Sequence, residues 1–221
     1  MKFTKNDHKI WQTLFDRQVP NLQQFACKEF LEGFEKLALP ADHIPTAKWL
    51  NAKIYPVSGW SIVDTTVRYL NDEQWADHMK SKKFPITNFL RSEDELDFTP
   101  EPDVFHDIFG HLSMLMNPKL VPILDLFSEF YSIKPKSETF SIAQLFWNSL
   151  EFSLIQEDGT EKAFGAGLMS SFEEIKHVEN HVGEKFSLEK GIKKPRAVAD
   201  FHSSFLLIES VEQLKNELKR F

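Results

Sequence analysis

The stretch from Thr99 to His111, TPEPDVFHDIFGH, restricts the fold most, because it places His106 and His111 only five residues apart. Five residues turn a regular α-helix by about 500°, so the two imidazoles would point about 140° apart around its axis. They meet at one metal ion only if the helix ends or bends between them, and Gly110 favours such a bend. Without a third partner, two unrelated histidines near a helix end are the better interpretation.

A third candidate ligand, Glu151, lies in the most strongly helical stretch of the chain, residues 137–155. It stands between Leu150 and Phe152, one turn from Trp147, and a carboxylate in an apolar helix is costly unless it is paired or binds a metal. Two neutral imidazoles and one carboxylate, with open positions beside them, are the ligands of non-haem Fe(II) oxygenases. Alone, Glu151 would be interpreted as a salt-bridged carboxylate, but with the two histidines it predicts a metal site.

A rival metal site is formed by His177 and His181, which are four residues apart with Glu173 and Glu174 nearby. This spacing on a helix suits a zinc-type pair. The helix predicted over residues 171–181 is charged almost throughout, however, so a solvated face is the favoured interpretation. The remaining histidines show no ligand-like grouping: His8, His43, His78 and His202.

Composition excludes several function classes. The formal net charge of −7 argues against nucleic acid or an anionic membrane as the main partner, because both require a basic face. No secretory signal and no apolar run long enough to span a bilayer is evident. The lone Cys27 rules out a disulfide framework and favours a reducing, cytoplasmic location. We therefore expect a small-molecule substrate.

The chain shows no repeat, low-complexity segment or linker, so a single domain over residues 1–221 is expected. Helices dominate without the alternation of βαβ units, which predicts a mainly α fold with a few short strands (α+β) rather than a doubly wound parallel sheet. Apolar spacing, prolines and caps predict the elements. The helices are expected at 6–19 (closed by Pro20), 21–37, 45–54, 72–79 (capped by Asp72), 122–131, 137–155, 171–181 and 211–219, and the strands at 60–63, 84–91 and 205–208.

Several motifs in a fixed order resemble the catalytic domain of the tetrahydrobiopterin-dependent aromatic amino acid hydroxylases. They are HKIWQTLFDRQ, LEGFEKLALPADHIP, FPITNFLR, TPEPDVFHDIFGH, FWNSLEFSL, FGAGLMSSFEE and FLLIESVEQL. The resemblance is greatest to the short bacterial phenylalanine 4-monooxygenases, and it implies a catalytic domain without a regulatory domain or a tetramerisation tail. A monomer is therefore expected.

The resemblance implies roles for individual residues. His106, His111 and Glu151 match the iron ligands of the family. The residues that match the amino-acid pocket are Arg91 (substrate carboxylate), Asp103 (orientation of Arg91), Thr99 (a further carboxylate contact), Trp147 (wall beside the aromatic ring) and Ser170 (beside the amino acid and a ligand histidine). Considered singly, Arg91 and Asp103 could be a surface ion pair, and Trp147 could be plain core.

The pterin side of the resemblance departs from the family pattern. The family has a loop of the form V-x-G-L, whereas this chain reads VRYLND over residues 67–72, without the glycine. The positions that match the cofactor side are Leu70, Asp72, Trp75 (in place of a phenylalanine that stacks on the pterin) and Asp107 (the bacterial variant of a glutamate). The divergent loop leaves the choice of pterin open.

The function that the resemblance implies is ring hydroxylation of an aromatic amino acid, with Fe(II) and tetrahydrobiopterin or another tetrahydropterin as cofactors and O₂ as co-substrate. Conversion of phenylalanine to tyrosine is the favoured reaction, and tryptophan is an alternative substrate. A zinc hydrolase that uses the same three ligands, or a module that only binds a pterin or an amino acid, remain alternatives.

Overall fold

The computed structural model describes residues 3–197 and 200–221. The α-helices are α1 (Lys5–Phe25), α2 (Lys28–Leu37), α3 (Ala47–Ser58), α4 (Asp72–Met79), α5 (Val121–Ile133), α6 (Thr139–Phe146), α7 (Ala166–Ser170), α8 (Leu188–Lys193) and α9 (Val211–Leu218). A first π-helix spans His106–Leu112 and a second spans Trp147–Glu151. Short 3₁₀-helices lie at Glu93–Glu95, Lys136–Glu138 and Glu174–Asn180.

Within the described residues, six short strands form two small sheets. The strands are β1 (Ser61–Asp64), β2 (Lys83–Ile86), β3 (Ser153–Glu157), β4 (Thr160–Ala163), β5 (Glu184–Lys185) and β6 (Leu206–Ile208). β1 and β2 pair in parallel, with Ile62 opposite Phe84. The other sheet has the order β4-β3-β6-β5 and mixes one antiparallel pair with two parallel pairs. The predicted mainly α fold with a few short strands is therefore confirmed.

Helix α1 corrects the prediction that Pro20 ends the first helix, because Pro20 lies inside it. Proline in a helix interior removes one hydrogen bond, and burial of Leu14, Leu22 and Phe25 on the same helix offsets that loss. The break comes instead at extended Ala26, after which the backbone N–H of Cys27 donates to the carbonyl of Ala163, 3.0 Å away. A long-range backbone contact thus sets the boundary.

The predicted helix over residues 137–155 is also wrong at its end. It terminates at Glu151, where Phe152 leaves the helical region at φ −134° and ψ 75°. The next residues form β3, in which Leu154 pairs with Ala163 on one side and Leu207 on the other. Pairing on both edges satisfies the backbone of an apolar run that local spacing alone assigned to a helix.

The ends of several other elements differ from the predicted ones for identifiable reasons. The strand predicted over 84–91 ends at Ile86, because the next N–H groups bind carboxylates: Thr87 donates to Asp107 (2.7 Å) and Arg91 to Asp103 (2.9 Å). The cap of α4 is Asn71 rather than Asp72. Helix α3 begins after Pro45, with Thr46 as its cap. The 171–181 segment forms only a 3₁₀-helix, while β1, α5, β6 and α9 lie where they were expected.

The core is rich in aromatic rings, and it surrounds the first π-helix. Phe105 and Phe109 stack at 4.6 Å, and Trp11 packs edge-on against Phe105 at 5.3 Å. Large side chains that are fully buried include Trp60 and Phe84. No helix within residues 3–197 and 200–221 is both long and apolar enough to cross a membrane.

Two glycines allow the segments that carry the candidate ligands to pack closely. A Cβ on Gly110 would lie 2.6 Å from the carbonyl oxygen of Ala166, and a Cβ on Gly165 would lie 2.0 Å from that of Glu151. Both distances are too short for real atoms, so each position requires glycine for close approach. The first π-helix, α7 and the end of the second π-helix are thereby held together.

We predict that Gly110→Ala lowers the free energy of unfolding by about 1–3 kcal/mol, because the added methyl group overpacks this contact. Chemical denaturation monitored by circular dichroism measures the change. The control is Gln12→Ala, which also introduces alanine into a helix but at an exposed position. Equal stability of the two variants would contradict the packing role of Gly110.

We further predict that Cys27 does not react in the native protein. The thiol is completely buried, and burial raises its pKa to about 12, whereas the thiolate is the reactive form. Incubation with a thiol reagent such as DTNB at pH 8 should label Cys27 only after unfolding in guanidinium. Rapid stoichiometric labelling of the folded protein would show that the thiol is accessible.

Candidate active site

His106 and His111 converge because the segment that carries them is a π-helix. Hydrogen bonds in a π-helix join residues five apart, so side chains with this spacing lie on one side of it. The two Nε2 atoms are 3.1 Å apart. The predicted bend at Gly110 is therefore wrong: Gly110 stays inside the π-helix, and its small size serves the contact with Ala166 instead.

Glu151 completes the group from the last position of the second π-helix. Its Oε1 lies 2.8 Å from Nε2 of His111, and its Oε2 lies 3.5 Å from Nε2 of His106. One potential ligand atom from each of the three residues lies within 4.8 Å of the others. Among the described residues this is the one such cluster of three or more histidine, cysteine or acidic side chains.

The protonation states suit metal binding, which requires neutral imidazoles and an ionised carboxylate. Burial lowers the pKa of His106 to about 4. Burial by itself raises the pKa of Glu151, but His111, whose Nε2 faces the carboxylate at 2.8 Å, outweighs that effect and holds the pKa below its usual range. Glu151 Oε2 is buried and accepts no hydrogen bond from any described residue. These donors are therefore those of a divalent cation site.

Ser170 determines which nitrogen of His106 faces the cluster. The Ser170 hydroxyl donates to the carbonyl of Ala166 at 3.0 Å, so its oxygen accepts the Nδ1–H of His106 at 2.9 Å. His106 Nε2 is consequently the unprotonated nitrogen, and its lone pair points towards His111 and Glu151. Orientation of a ligand histidine through its other nitrogen is a common feature of metal sites.

Arg91 and Asp103 form a buried ion pair beside this cluster. The guanidinium donates from Nε and Nη2 to the two carboxylate oxygens at 2.8 and 2.9 Å. Asp103 also accepts the backbone N–H of His106 at 3.0 Å. Burial opposes ionisation of Asp103, but Arg91 holds its pKa below the usual value. Nη1 of Arg91 makes no hydrogen bond to any described residue, so one edge of the guanidinium is available to a ligand.

A cavity of about 620 Å³, open to solvent, adjoins the cluster on one side. Four of the five predicted substrate residues line it: Arg91, Thr99, Trp147 and Ser170. The fifth, Asp103, is hydrogen-bonded to Arg91. His106 and Glu151 also line this cavity. The structure thus brings the predicted substrate residues and two of the predicted ligands to one cavity.

A second cavity of about 710 Å³ adjoins the cluster on another side. All four residues predicted for the cofactor line it: Leu70, Asp72, Trp75 and Asp107. His106, Glu151 and Trp147 also border both cavities. The candidate metal ligands therefore stand between the two spaces, so molecules bound in each would meet there.

Arg196 is a lining residue of the second cavity that sequence reasoning missed. Its guanidinium makes a bidentate ion pair with Asp72, with distances of 3.1 and 3.0 Å. The partners are 124 residues apart, so no local pattern joins them. Asp107 points its carboxylate at the backbone N–H of Thr87, and burial raises its pKa to about 7.

Glu174 and His202 were also missed as a pair in the wall of the first cavity. His202 lies outside the cluster of His106, His111 and Glu151 and is buried against Glu174. Glu174 was assigned to a solvated face, whereas its side chain points inwards and is buried. The rival pair, His177 and His181, has ring centres 6.1 Å apart and joins no three-residue cluster among the described residues.

Comparison with known proteins identifies the relatives of this chain. The phenylalanine-4-hydroxylase of Chromobacterium violaceum is 34% identical over 220 residues, which cover 96% of this chain and 73% of the relative. The corresponding protein of Mesorhizobium japonicum is 32% identical over 221 residues, 97% of this chain and 79% of the relative.

Solved structures agree with the fold. The Chromobacterium violaceum enzyme with bound iron(III) and 7,8-dihydrobiopterin has a TM-score of 0.90 at 32% identity, covering 97% of this chain and 80% of that one. The phenylalanine hydroxylase of Legionella pneumophila has a TM-score of 0.91 at 26% identity, covering 99% and 87%. The biopterin-dependent aromatic amino acid hydroxylase family matches residues 1–221. The resemblance seen in the motifs is confirmed, and the chain belongs to the family of biopterin-dependent aromatic amino acid hydroxylases.

Proposed function

We propose that this protein is a non-haem Fe(II), tetrahydropterin-dependent monooxygenase that hydroxylates the ring of L-phenylalanine to give L-tyrosine. The observation that carries the proposal is the convergence of His106, His111 and Glu151 between two cavities. The family and the names of the relatives support the enzyme class, since curated bacterial and plant relatives are phenylalanine hydroxylases. A related structure holds iron together with dihydrobiopterin.

The donor set fits iron. His106 and His111 would supply Nε2 atoms and Glu151 a carboxylate, which together form a 2-His-1-carboxylate face with positions left open. Bound iron and reduced pterin supply O₂ activation and the electrons that the reaction consumes. The protein contributes orientation: Ser170 holds His106 in the tautomer that presents Nε2, and burial keeps that imidazole neutral.

The first cavity suits the amino acid. Arg91 is fixed by Asp103 through two hydrogen bonds, and its remaining edge would bind the α-carboxylate, a task that suits a planar guanidinium. Thr99 would provide a further contact to that carboxylate. Trp147 would form a wall of the ring pocket, because it lines the same cavity as Glu151. Holding the carboxylate and the ring places one edge of the ring beside the metal site.

The second cavity suits the pterin. Trp75 offers an indole ring that packs edge-on against Phe84 at 5.3 Å and Phe146 at 5.7 Å, and a fixed ring of this size can stack on a bicyclic heterocycle. Leu70, Asp72 and Asp107 would complete the contacts. The absent glycine at Tyr69 is a departure from the family pattern on this side of the site, where Arg196 also pairs with Asp72.

We also propose that residues 1–221 act as one catalytic domain, as a cytoplasmic monomer. One hydrophobic core joins elements from α1 to α9, which supports a single domain. The buried thiol of Cys27 and the net charge of −7 agree with a reducing cytoplasm and with small molecules, rather than nucleic acids or membranes, as partners.

We predict that the purified protein converts L-phenylalanine to L-tyrosine when supplied with Fe(II), a tetrahydropterin and O₂. A panel of phenylalanine, tryptophan and tyrosine, with products identified by mass and ring position, measures the preference. Zn(II) should not support this hydroxylation in place of Fe(II). Activity that Zn(II) restores and Fe(II) does not would instead indicate a zinc hydrolase. Iron binding without turnover of any aromatic amino acid would reject the proposed activity.

We predict that His106→Ala and Glu151→Gln each reduce bound iron from one equivalent to below about a tenth, because two remaining donors no longer hold the ion well. Metal analysis after anaerobic loading and desalting gives the stoichiometry. His177→Ala is the matched control at the rival pair and should keep one equivalent. Loss of iron from the control, with retention in the other two variants, would place the metal elsewhere.

A further inference from the structure

Glu174 and His202 form a buried polar pair in the wall of the first cavity, away from the metal ligands. Their side chains are only 3% and 4% exposed, and both border the cavity that also contains Arg91. Glu174 Oε1 accepts hydrogen bonds from Nδ1 of His202 at 2.7 Å and from its backbone N–H at 2.8 Å.

Trp147 determines the charge of this pair. Its indole Nε1–H donates to Nε2 of His202 at 3.1 Å, and an indole nitrogen is a donor only. His202 Nε2 must therefore be unprotonated, so the ring is neutral and carries its proton on Nδ1, facing Glu174. The buried carboxylate is consequently not neutralised by His202.

The second oxygen of Glu174 is the feature that points to a ligand. Oε2 accepts no hydrogen bond from any described residue, and the side chain borders the cavity. A buried carboxylate of this kind is costly unless a cation approaches it. The other carboxylates around the cavity are engaged or exposed: Glu101 pairs with Arg68, Glu151 faces the imidazoles, and Asp200 is exposed.

We propose that Glu174 binds the α-ammonium group of the amino-acid substrate through Oε2, and that His202 is the positioning residue that holds this carboxylate in place. An α-amino acid is a zwitterion, and this cavity offers Arg91 for the carboxylate and Glu174 for the ammonium group. The inference rests on the proposed function, because it assigns an additional contact to the same substrate.

His202 also connects the ammonium end to the ring wall. Besides its bonds to Glu174 and Trp147, its ring stacks on Phe152 with a centroid distance of 3.9 Å. One imidazole thus fixes the carboxylate, the indole and the residue that follows Glu151. A substrate held at the ammonium group would thereby be placed in register with the wall beside its ring.

The test compares two ligands that differ only in the ammonium group: L-phenylalanine and 3-phenylpropanoate. Isothermal titration of the Fe(II)-loaded protein, without O₂, should show that the wild type binds L-phenylalanine at least about tenfold more tightly, as expected for a hydrogen bond between charged groups. Glu174→Gln keeps an amide oxygen for His202 but removes the charge, so it should abolish this preference and leave binding of 3-phenylpropanoate unchanged.

Glu173→Gln is the matched control, because Glu173 is an adjacent carboxylate that is 40% exposed and pairs with Lys176, and it should keep the preference. His202→Phe, which retains a ring against Phe152, is a second variant and should reduce the preference without loss of iron. Proportionate weakening of both ligands in Glu174→Gln, or a wild type that does not discriminate, would overturn the proposal. An intact preference without turnover would instead reject the proposed function.

Discussion

The structure depends on the convergence of three buried donor groups, His106, His111 and Glu151, at one point. Two imidazoles five residues apart cannot meet on a regular α-helix, and the chain solves this with a π-helix, a rare form that is often found at functional sites. Glu151 ends a second one. The close contact of Gly110 with Ala166, and of Gly165 with the carbonyl of Glu151, maintains both segments against their preference for α-helical geometry.

The metal ligands were predictable from residue type and position, because a carboxylate in an apolar stretch is costly without a partner and a metal ion shared with two close histidines would provide one. The geometry that joins these ligands was not predictable. Sequence patterns are compared with the α-helical period of 3.6 residues, which does not describe a π-helix. The same limit applies to Pro20, which stays inside α1 because of tertiary packing, and to residues 153–157, which pair with distant strands. The pairing of Glu174 with His202, and of Arg196 with Asp72, could not be predicted because the partners lie far apart in the sequence.

Charge is distributed differently around the two cavities. The first cavity contains the guanidinium of Arg91, which Asp103 holds in place, and the carboxylate of Glu174, which no cation among the described residues neutralises. This arrangement complements a zwitterion. In the second cavity, Arg196 and Asp72 neutralise each other through two hydrogen bonds. A lining in which these charges are paired complements an uncharged heterocycle. The cluster between them is accessible from both sides. The divergent 67–72 loop contributes Tyr69, Leu70 and Asp72 to the lining of the second cavity and no residue to that of the first. Its divergence therefore affects the cofactor side more than the amino-acid side.

We propose that side chains from the two π-helices bind one iron ion. Anomalous diffraction at the iron K edge, from crystals of protein loaded with Fe(II) under anaerobic conditions, locates the metal directly. Binding at the two π-helices predicts one peak within coordination distance of Nε2 of His106, Nε2 of His111 and the carboxylate of Glu151. A peak elsewhere, such as between His177 and His181, or no peak at these three side chains, would contradict it.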